Sequence, residues 1–430
     1  MRRVWGFGFM LCWSSASCSL LTDLAPLGGD ASVVDAPVEA PDDGYVLTAK
    51  PPHVTLDPGD SIDIEIDITR GGAFGEDVDV SVNDVGGLSN IVTNPVMVTI
   101  SGNVPVKLHL DVGVTAKTPQ DGVITLQGRS TKTATKPTTP PTFAVRIGSV
   151  LVDTQTSMPN VAVPAYASSL WIKAWGAGGG AGSSQIIYGA NNATAVGGFG
   201  GGGGMAGAAF ATPSGSVLNI VVGEAGATLG GGSGGGATTV ALGTTQLLVA
   251  GGGGGGGEGH GDASYCNSVI NGGNALAGGG ANGQSSKLSA TTTAGGAPGD
   301  NNATSGTSGQ GGNGSVPPNN CKYGCADGGA PGGGRAGASN ECSNPGGGGG
   351  GGGYFGGGGG GYGQGGGGGS GFVSDAGADA LRSAGSYSAA AAMSDSDYRA
   401  GTALGGAAST DTTSAVAATP GRVIVRLPKP

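Results

Sequence analysis

Alternating hydrophobic and charged residues predict β-strands in the first third of the chain. In residues 62–68, isoleucines alternate with aspartate and glutamate. Because successive side chains of a strand point to opposite faces, every isoleucine lies on one face and every acid on the other. The alternation recurs in 78–82, 104–110, 123–126 and 143–147, with turn residues in between. Short strands at this spacing predict an antiparallel β-sandwich over residues 46–147.

A second set of strands is interrupted by glycine. Residues 169–175 combine large apolar side chains and run directly into Gly176. We expect this strand to find its partners within 217–250 and 421–427, where further apolar segments occur. The later predicted strands are 205–211, 217–223, 237–242, 246–250 and 421–427. The sequence therefore predicts a second β domain over residues 151–430.

Nearly pure glycine runs separate these strands. They occupy residues 200–204, 230–236, 251–257, 346–353, 356–361 and 365–369. A glycine run is ordinarily a flexible linker, and glycine loses the most entropy on ordering. Alternatively, side-chain-free chains in a polyproline II-like conformation, known as polyglycine II helices, approach closely and bond laterally through their outward-pointing amides and carbonyls. Because strands precede and follow the runs, we expect an ordered bundle, with a floppy insertion as the alternative.

Residues 262–345 break the glycine pattern with Asn, Ser, Thr and cysteine. This insertion holds the disulfide candidates Cys266, Cys321, Cys325 and Cys342. In an oxidising compartment these cysteines allow three pairings, and the sequence does not choose among them. The spacing of Cys321 and Cys325 also suits structural zinc, but no histidine lies near that pair, so disulfides are favoured. Residues 374–418, rich in Ala and Ser, predict a short helix or an irregular loop.

The N-terminus has the pattern of an export signal. Arg2 and Arg3 precede a short apolar segment and small residues, which predicts a signal peptide over residues 1–17. The run before Cys18 resembles a bacterial lipobox, so Cys18 is the predicted lipidation site. This implies an outer-membrane or cell-surface lipoprotein, with plain secretion and an uncleaved N-terminus as alternatives. Residues 18–45, acidic and rich in Pro and Ala, predict a disordered tether.

Composition and charge exclude several classes of function. Charged residues make up only 11% of the chain and the net charge is −10. An acidic chain without a Lys/Arg cluster repels phosphate backbones, so nucleic-acid binding is disfavoured. The histidines His53, His109 and His260 form no metal motif, and no phosphate-binding loop follows a strand. We therefore predict no catalytic residue, no metal, no cofactor and no enzyme activity, with membrane contact through a lipid anchor alone.

The order of strands and glycine runs resembles a known family. The strand 169–175 enters Gly-Ala-Gly-Gly-Gly, residues 247–253 read Leu-Leu-Val-Ala-Gly-Gly-Gly, and the strand 422–426 follows the last run. This is similar to the glycine-rich domain of the anaplastic lymphoma kinase and leukocyte tyrosine kinase receptors and of bacterial surface proteins. The resemblance implies a jelly-roll sandwich, related to tumour-necrosis-factor folds, with inserted polyglycine II helices. Residues 46–147 resemble bacterial Ig-like modules.

These expectations combine into one functional hypothesis and one alternative. Aromatic residues that interrupt the glycine runs either anchor the run ends or form a contact patch for a protein or glycan. The patch candidates are Tyr354, Phe355, Tyr362 and Phe372. We expect a non-enzymatic cell-surface binding or adhesion protein whose ligand the sequence does not specify. The alternative is a structural envelope component without a specific ligand.

Overall fold

Nearly all regular secondary structure among the described residues is β-strand. A computed structural model describes residues 44–429, except 134, 138–139, 229, 262–268, 280–287, 298, 300–303, 314–332, 335–344 and 409–414. The prediction of an all-β protein is confirmed. The predicted signal peptide, Cys18 and almost all of the tether lie outside the described residues. So do the disulfide candidates Cys266, Cys321, Cys325 and Cys342.

The first unit is a sandwich of two sheets. Its strands are β1 (Tyr45–Lys50), β2 (His53–Leu56), β3 (Ser61–Arg70), β4 (Val78–Asp84), β5 (Ile91–Asn94), β6 (Met97–Ile100), β7 (Val106–Val112), β8 (Gln120–Ser130) and β9 (Thr142–Ile147). One sheet has the order β1-β3-β7-β5 and the other β2-β9-β8-β4-β6. All pairings are antiparallel except β2 with β9, which is parallel.

Strand β3 shows why the alternation produces a one-sided sheet. Ile64 and Ile66 are fully buried in the core between the two sheets. Asp63 and Glu65 alternate with them and stay on the outer face, where Asp63 hydrogen-bonds His109 of the neighbouring strand. The predicted tether ended at residue 45, but Tyr45 begins β1 and is fully buried. The sequence pattern missed Tyr45 because a single aromatic residue at the start of a short strand shows no alternation of its own.

The second unit is a sandwich of two five-stranded sheets. Its strands are β10 (Val150–Thr154), β11 (Met158–Ala162), β12 (Ser169–Trp175), β13 (Gln185–Ile187), β14 (Ala193–Ala195), β15 (Met205–Ala211), β16 (Val217–Val221), β17 (Thr238–Leu242), β18 (Thr245–Ala250), β19 (His260–Gly261), β20 (Val269–Ile270), β21 (Phe372–Val373), β22 (Gly377–Ser383) and β23 (Arg422–Arg426). A short 3₁₀ turn, Tyr188–Ala190, joins β13 to β14. The large sheets have the orders β10-β23-β12-β15-β22 and β11-β16-β17-β18-β21.

Strand β12 lies at the centre of its sheet, as its large apolar side chains require. It pairs with β15 and β23, so the expected partner within 421–427 is correct. The strands within 217–250 are in the facing sheet instead, and meet β12 through the shared core that buries Leu170 and Ile172. The spacing of apolar side chains predicts that a strand is buried. It does not distinguish a partner strand in the same sheet from one in the sheet across the core.

The predicted helix or loop over 374–418 contains strand β22, and the residues after it, up to 408, cover the other face of β12. The expectation of a helix or irregular loop missed strand β22, which forms an edge of the sheet. The segment after β22 packs Ala391 and Ala403 against Trp175, whose indole N–H donates to the Ala391 carbonyl oxygen at 3.1 Å. Small side chains permit this close cover. The Ala-rich composition therefore reflects tertiary packing.

Charged groups beneath this cover form a buried network. Lys173 of β12 lies 2.8 Å from an Asp395 oxygen and 2.9 Å from an Asp397 oxygen. Asp397 also accepts a hydrogen bond from Arg426 of β23. Burial alone would lower the pKa of Lys173, but the hydrogen bonds that it donates to both carboxylates raise it above its ordinary value. The network thus fastens the covering segment to the centre of the sheet.

Hydrogen bonds between glycine runs repeat every third residue. Along 251–259, the amides of Gly251, Gly254 and Gly257 all donate to one antiparallel segment at N···O distances of 2.9–3.1 Å. The second and third residues of each triplet donate to two other segments. The three segments that accept these bonds are 273–279, 346–352 and 177–183. The segment 251–259 therefore has three distinct hydrogen-bonding faces.

The carbonyl groups of the same run extend the arrangement. They accept hydrogen bonds from the segments 198–204, 366–369 and 232–235. Residues 251–259 are thus surrounded by six neighbouring segments, and hydrogen bonds pair their backbone groups although the segment is buried. Since a buried unpaired amide or carbonyl is costly, this pairing stabilises an otherwise unfavourable composition.

The two sandwiches meet through polar contacts near the linker. The Asp57 carboxylate accepts hydrogen bonds from the Ser149 backbone amide at 2.7 Å and from the Ser149 hydroxyl. Lys429 lies 2.8 Å from both Asp57 and Asp60. The Ser149 hydroxyl also accepts a hydrogen bond from Arg426. These contacts connect the first sandwich to the last strand of the second.

Candidate functional site

Three of the predicted contact aromatics form one cluster. Tyr354 stacks on Phe372 with ring centroids 4.4 Å apart and an interplanar angle of 13°. Phe355 packs edge-on against Tyr354 at 5.2 Å. All three rings are half-buried. Offset-stacked and edge-to-face pairs add stability beyond the area that they bury, so this arrangement holds the rings in defined positions. We call Tyr354, Phe355 and Phe372 the aromatic cluster.

Ser370 holds the cluster at the end of the glycine runs. Its fully buried hydroxyl accepts a hydrogen bond from the Phe355 amide at 3.0 Å. The Ser370 amide donates to the Phe355 carbonyl oxygen at 2.9 Å, and the Tyr354 amide donates to the Ser370 carbonyl oxygen. A serine between glycines places a polar side chain there without needing much space. The last run is thereby joined to the Tyr354–Phe355 turn.

A cavity of about 320 Å³ adjoins Tyr354. Its wall consists of residues from three strands of the second sandwich together with two loop segments. The lining residues are Val221, Ala237, Thr239, Gln246, Ser308, Gly309, Gly353 and Tyr354. None of these side chains is charged, and hydroxyl, amide and aromatic groups stand beside apolar ones. Such a lining suits a neutral ligand that offers both hydrogen bonds and apolar surface.

Tyr362 does not share this position. It lies in the turn after the run 356–361, whereas Phe355 immediately precedes that run. The run crosses the glycine bundle, with Gly357 and Gly358 bonded to other segments. The predicted patch is therefore divided between two ends of one run. Spacing along the chain did not reveal this, because glycine carries no side chain that marks direction or face.

Outside the aromatic cluster, the described titratable groups include an exposed histidine and a buried glutamate. His109 contacts Asp63 at 2.6 Å and Asp111 at 3.3 Å on an exposed sheet face, and these contacts raise the pKa of His109. Buried Glu258 accepts a hydrogen bond from the Gly346 amide at 2.7 Å. Within the described ranges, His, Cys, Asp and Glu form no group of three or more that suits a metal ion. No helix in those ranges is long and apolar enough to span a membrane.

Replacing Ser370 with alanine should loosen the aromatic cluster. The Ser370→Ala variant loses the bond to the Phe355 amide and leaves that amide without its side-chain partner. We expect a stability loss of about 1–3 kcal/mol for the second sandwich. Thermal unfolding followed by circular dichroism measures the loss. Ser374→Ala is the matched control, because the Ser374 hydroxyl is buried without a hydrogen-bond partner among the described residues. Equal losses in the two variants would contradict this role of Ser370.

Comparison with known proteins identifies only distant β folds. No protein-family model matches the chain, and no curated protein matches it. The structure of SSP-19, an MSP-domain-like protein of Caenorhabditis elegans, matches at 14% identity with a TM-score of 0.20, covering 23% of this chain and 97% of its own. WR4, an MSP family member of the same organism, matches at 12% identity and a TM-score of 0.19, covering 24% and 94%.

A chaperone also occurs among the matched structures. The YadV chaperone matches at 7% identity with a TM-score of 0.21, covering 53% of this chain and 96% of its own. Similarities of this size carry no conclusion about function. None of these three structures is a glycine-rich receptor domain, so the family resemblance remains a prediction from sequence.

Proposed function

We propose that this chain is a non-enzymatic binding protein of the cell surface that presents its aromatic cluster to a glycan or protein. The observation that carries the proposal is the fixed cluster of Tyr354, Phe355 and Phe372 beside an uncharged cavity. Aromatic residues supply large contact area at low cost in conformational entropy. We propose that it is an outer-membrane lipoprotein anchored through Cys18, or a secreted protein.

We also propose that the glycine runs form polyglycine II helices. The three-residue repeat of the hydrogen bonds along 251–259 supports this assignment, because a polyproline II-like chain has three residues per turn and no internal hydrogen bonds. The hydrogen bonds between its segments make such a bundle rigid up to its ends. It therefore provides a rigid base for the aromatic cluster, which lowers the entropy lost when a ligand binds.

The resemblance to the glycine-rich receptor domains also supports a binding function. In those receptors the domain takes part in cytokine binding, so the resemblance favours recognition over catalysis. The proposed jelly-roll connectivity of the second sandwich rests on this resemblance and on its two five-stranded sheets. The uncharged lining of the cavity favours neutral glycan or apolar protein surface over nucleic acid.

Binding by the aromatic cluster is testable with purified, oxidised chain from residue 19 onward. We expect the labelled protein to bind a glycan array or intact cells, and the double variant Tyr354→Ala, Phe372→Ala to bind at least about 30-fold more weakly. Flow cytometry and array fluorescence measure the change. Tyr188→Ala, at an exposed position away from the cluster, should bind as the original chain does.

Two results would argue against this function. Binding that is unchanged in a correctly folded double variant would remove the aromatic cluster from the contact surface. A chain that binds neither array nor cells, but whose deletion weakens the envelope, would favour the structural alternative. The dense hydrogen bonding of the glycine runs is the observation that supports that alternative.

A further inference from the structure

A second cavity system lies where the two sandwiches meet. Tyr166, in the loop before β12, stands next to His53 of β2 with ring centroids 5.3 Å apart. On one side of this pair a cavity of about 260 Å³ opens along the outer face of β8 and β9. On the other side a cavity of about 190 Å³ is bounded by Leu427 and Pro428 of the chain end. The two cavities share His53, Val54 and Tyr166 in their linings, and we call them the junction groove.

The strand register explains which side chains face the groove. Thr55 pairs with Arg146, and Arg146 with Asp121, across β2, β9 and β8. Side chains at paired positions lie on the same face of a sheet. Their apolar neighbours on that face are Ala144 and Val123, which are paired with each other. The outer face of the first sandwich thus offers small apolar side chains next to an acid and a base.

Arg146 is buried and bonds both a backbone carbonyl and a carboxylate. Its Nε donates to the Gly148 carbonyl oxygen at 3.1 Å, and its Nη1 donates to both Asp121 oxygens at 3.0–3.1 Å. Its Nη2 donates to neither group. The Asp121 side chain is 61% exposed, which leaves lone pairs on its carboxylate open to a ligand. A donor and an acceptor are therefore fixed side by side at the groove.

The Tyr166 hydroxyl lies close to both the Arg146 and the Asp121 side chains. Its oxygen is buried, and it makes no hydrogen bond of normal geometry with any residue in the described part of the chain. Burial raises the pKa of Tyr166, and the nearby Asp121 carboxylate adds to this effect while Arg146 opposes it. Because its contacts with Arg146 and Asp121 lack good hydrogen-bond geometry, a ligand or water with a well-placed donor or acceptor bonds this hydroxyl better.

We propose that the junction groove binds a single neutral sugar ring. A pyranose has an apolar C–H face for the Tyr166 and His53 rings and neighbouring hydroxyl groups for hydrogen bonds. One hydroxyl accepts from Arg146 and its neighbour donates to Asp121, while the Tyr166 hydroxyl bonds a third. A cavity of about 260 Å³ accommodates one such ring. This site is separate from the aromatic cluster and draws residues from both sandwiches.

Saturation-transfer NMR with methyl pyranosides tests the site on the purified chain from residue 19 onward. The probes are the methyl glycosides of glucose, galactose, mannose and N-acetylglucosamine at millimolar concentration. We expect transfer to at least one of them, and a dissociation constant that rises by up to about tenfold in Tyr166→Phe, which removes one hydrogen bond and keeps the ring. Tyr188→Phe, at an exposed tyrosine outside the groove, should leave binding unchanged.

Variants that fill the groove sharpen the test. Ala144→Trp should abolish transfer, and Val123→Trp, at a position 49% exposed, provides the same block if Ala144→Trp does not fold. The double variant Tyr354→Ala, Phe372→Ala should retain sugar binding, which separates this site from the proposed cluster function. Absence of transfer to every probe overturns the proposal. So does binding that survives both Tyr166→Phe and a folded groove-filling variant, or binding restricted to acidic probes such as methyl glucuronide.

Discussion

A single added methyl group at Gly255 is expected to unfold the glycine bundle. A Cβ at this position would lie 1.8 Å from the Gly232 carbonyl oxygen, a backbone atom held by its own hydrogen bonds. Neither segment can shift without breaking bonds to further segments. We expect Gly255→Ala to destabilise the second sandwich by about 3 kcal/mol or more, at or beyond the upper end for overpacking. Thermal unfolding and amide exchange along 251–259 measure the effect.

The control for this prediction is another glycine of the same bundle. A Cβ at Gly273 would meet its nearest atom at 3.1 Å, a contact that small adjustments relieve. We therefore expect Gly273→Ala to lose much less stability than Gly255→Ala. The unfolding transition of the first sandwich should be unchanged in both variants. If Gly255→Ala were as stable as the original chain, residues 251–259 would not lie within a closely bonded bundle.

Removing the charge of Asp397 is expected to produce the second large loss. Lys173 and Arg426 both bond this carboxylate, and the Lys173 side chain is only 8% exposed. Taking away one member of a buried charge network leaves an uncompensated charge, at a cost of about 3–5 kcal/mol. Because Asp395 still bonds Lys173, we expect Asp397→Asn to fall near the lower end of that range. Chemical denaturation at pH 7 measures it.

The pH dependence of this loss provides an independent check. Burial alone would raise the pKa of Asp397, but hydrogen bonds from Arg426 and Lys173 lower it below its ordinary value. A carboxyl with a lowered pKa stabilises the fold above its unfolded pKa, and this contribution disappears as the pH falls through the folded pKa. The difference between the original chain and Asp397→Asn should therefore be full at pH 7 and shrink below about pH 4.

An exposed aspartate provides the control variant for Asp397→Asn. Asp375 lies on the surface after β21, and a change at such a position usually alters stability by less than about 0.5 kcal/mol. Asp375→Asn should thus unfold with the original chain at every pH. A difference between Asp397→Asn and the original chain that stayed constant down to pH 3 would contradict the ionised network.

The sequence predicted much of the strand content because that signal is local. Ile64, Ile66 and Ile68 are buried and Ile62 packs partly buried against the same core, as their alternation requires, and the apolar segment 169–175 is a central strand. The candidate site was only partly predictable. Tyr354, Phe355 and Phe372 meet as one cluster, whereas Tyr362 lies at the other end of a glycine run. The junction groove was missed, since Tyr166 and Arg146 belong to different sandwiches and no pattern along the chain connects them.

The positions of most strands and their apolar faces follow from the local sequence, because the spacing and type of side chains act within a few residues. Which glycine segments become neighbours depends instead on the tertiary fold. A glycine run has no side chains to specify register, so the six partners of 251–259 follow from the fixed strands at the run ends and from the need to pair every buried amide. The tertiary fold also brings Asp395 and Asp397, more than 200 residues away in sequence, to Lys173, although the composition of their segment predicted a short helix or an irregular loop.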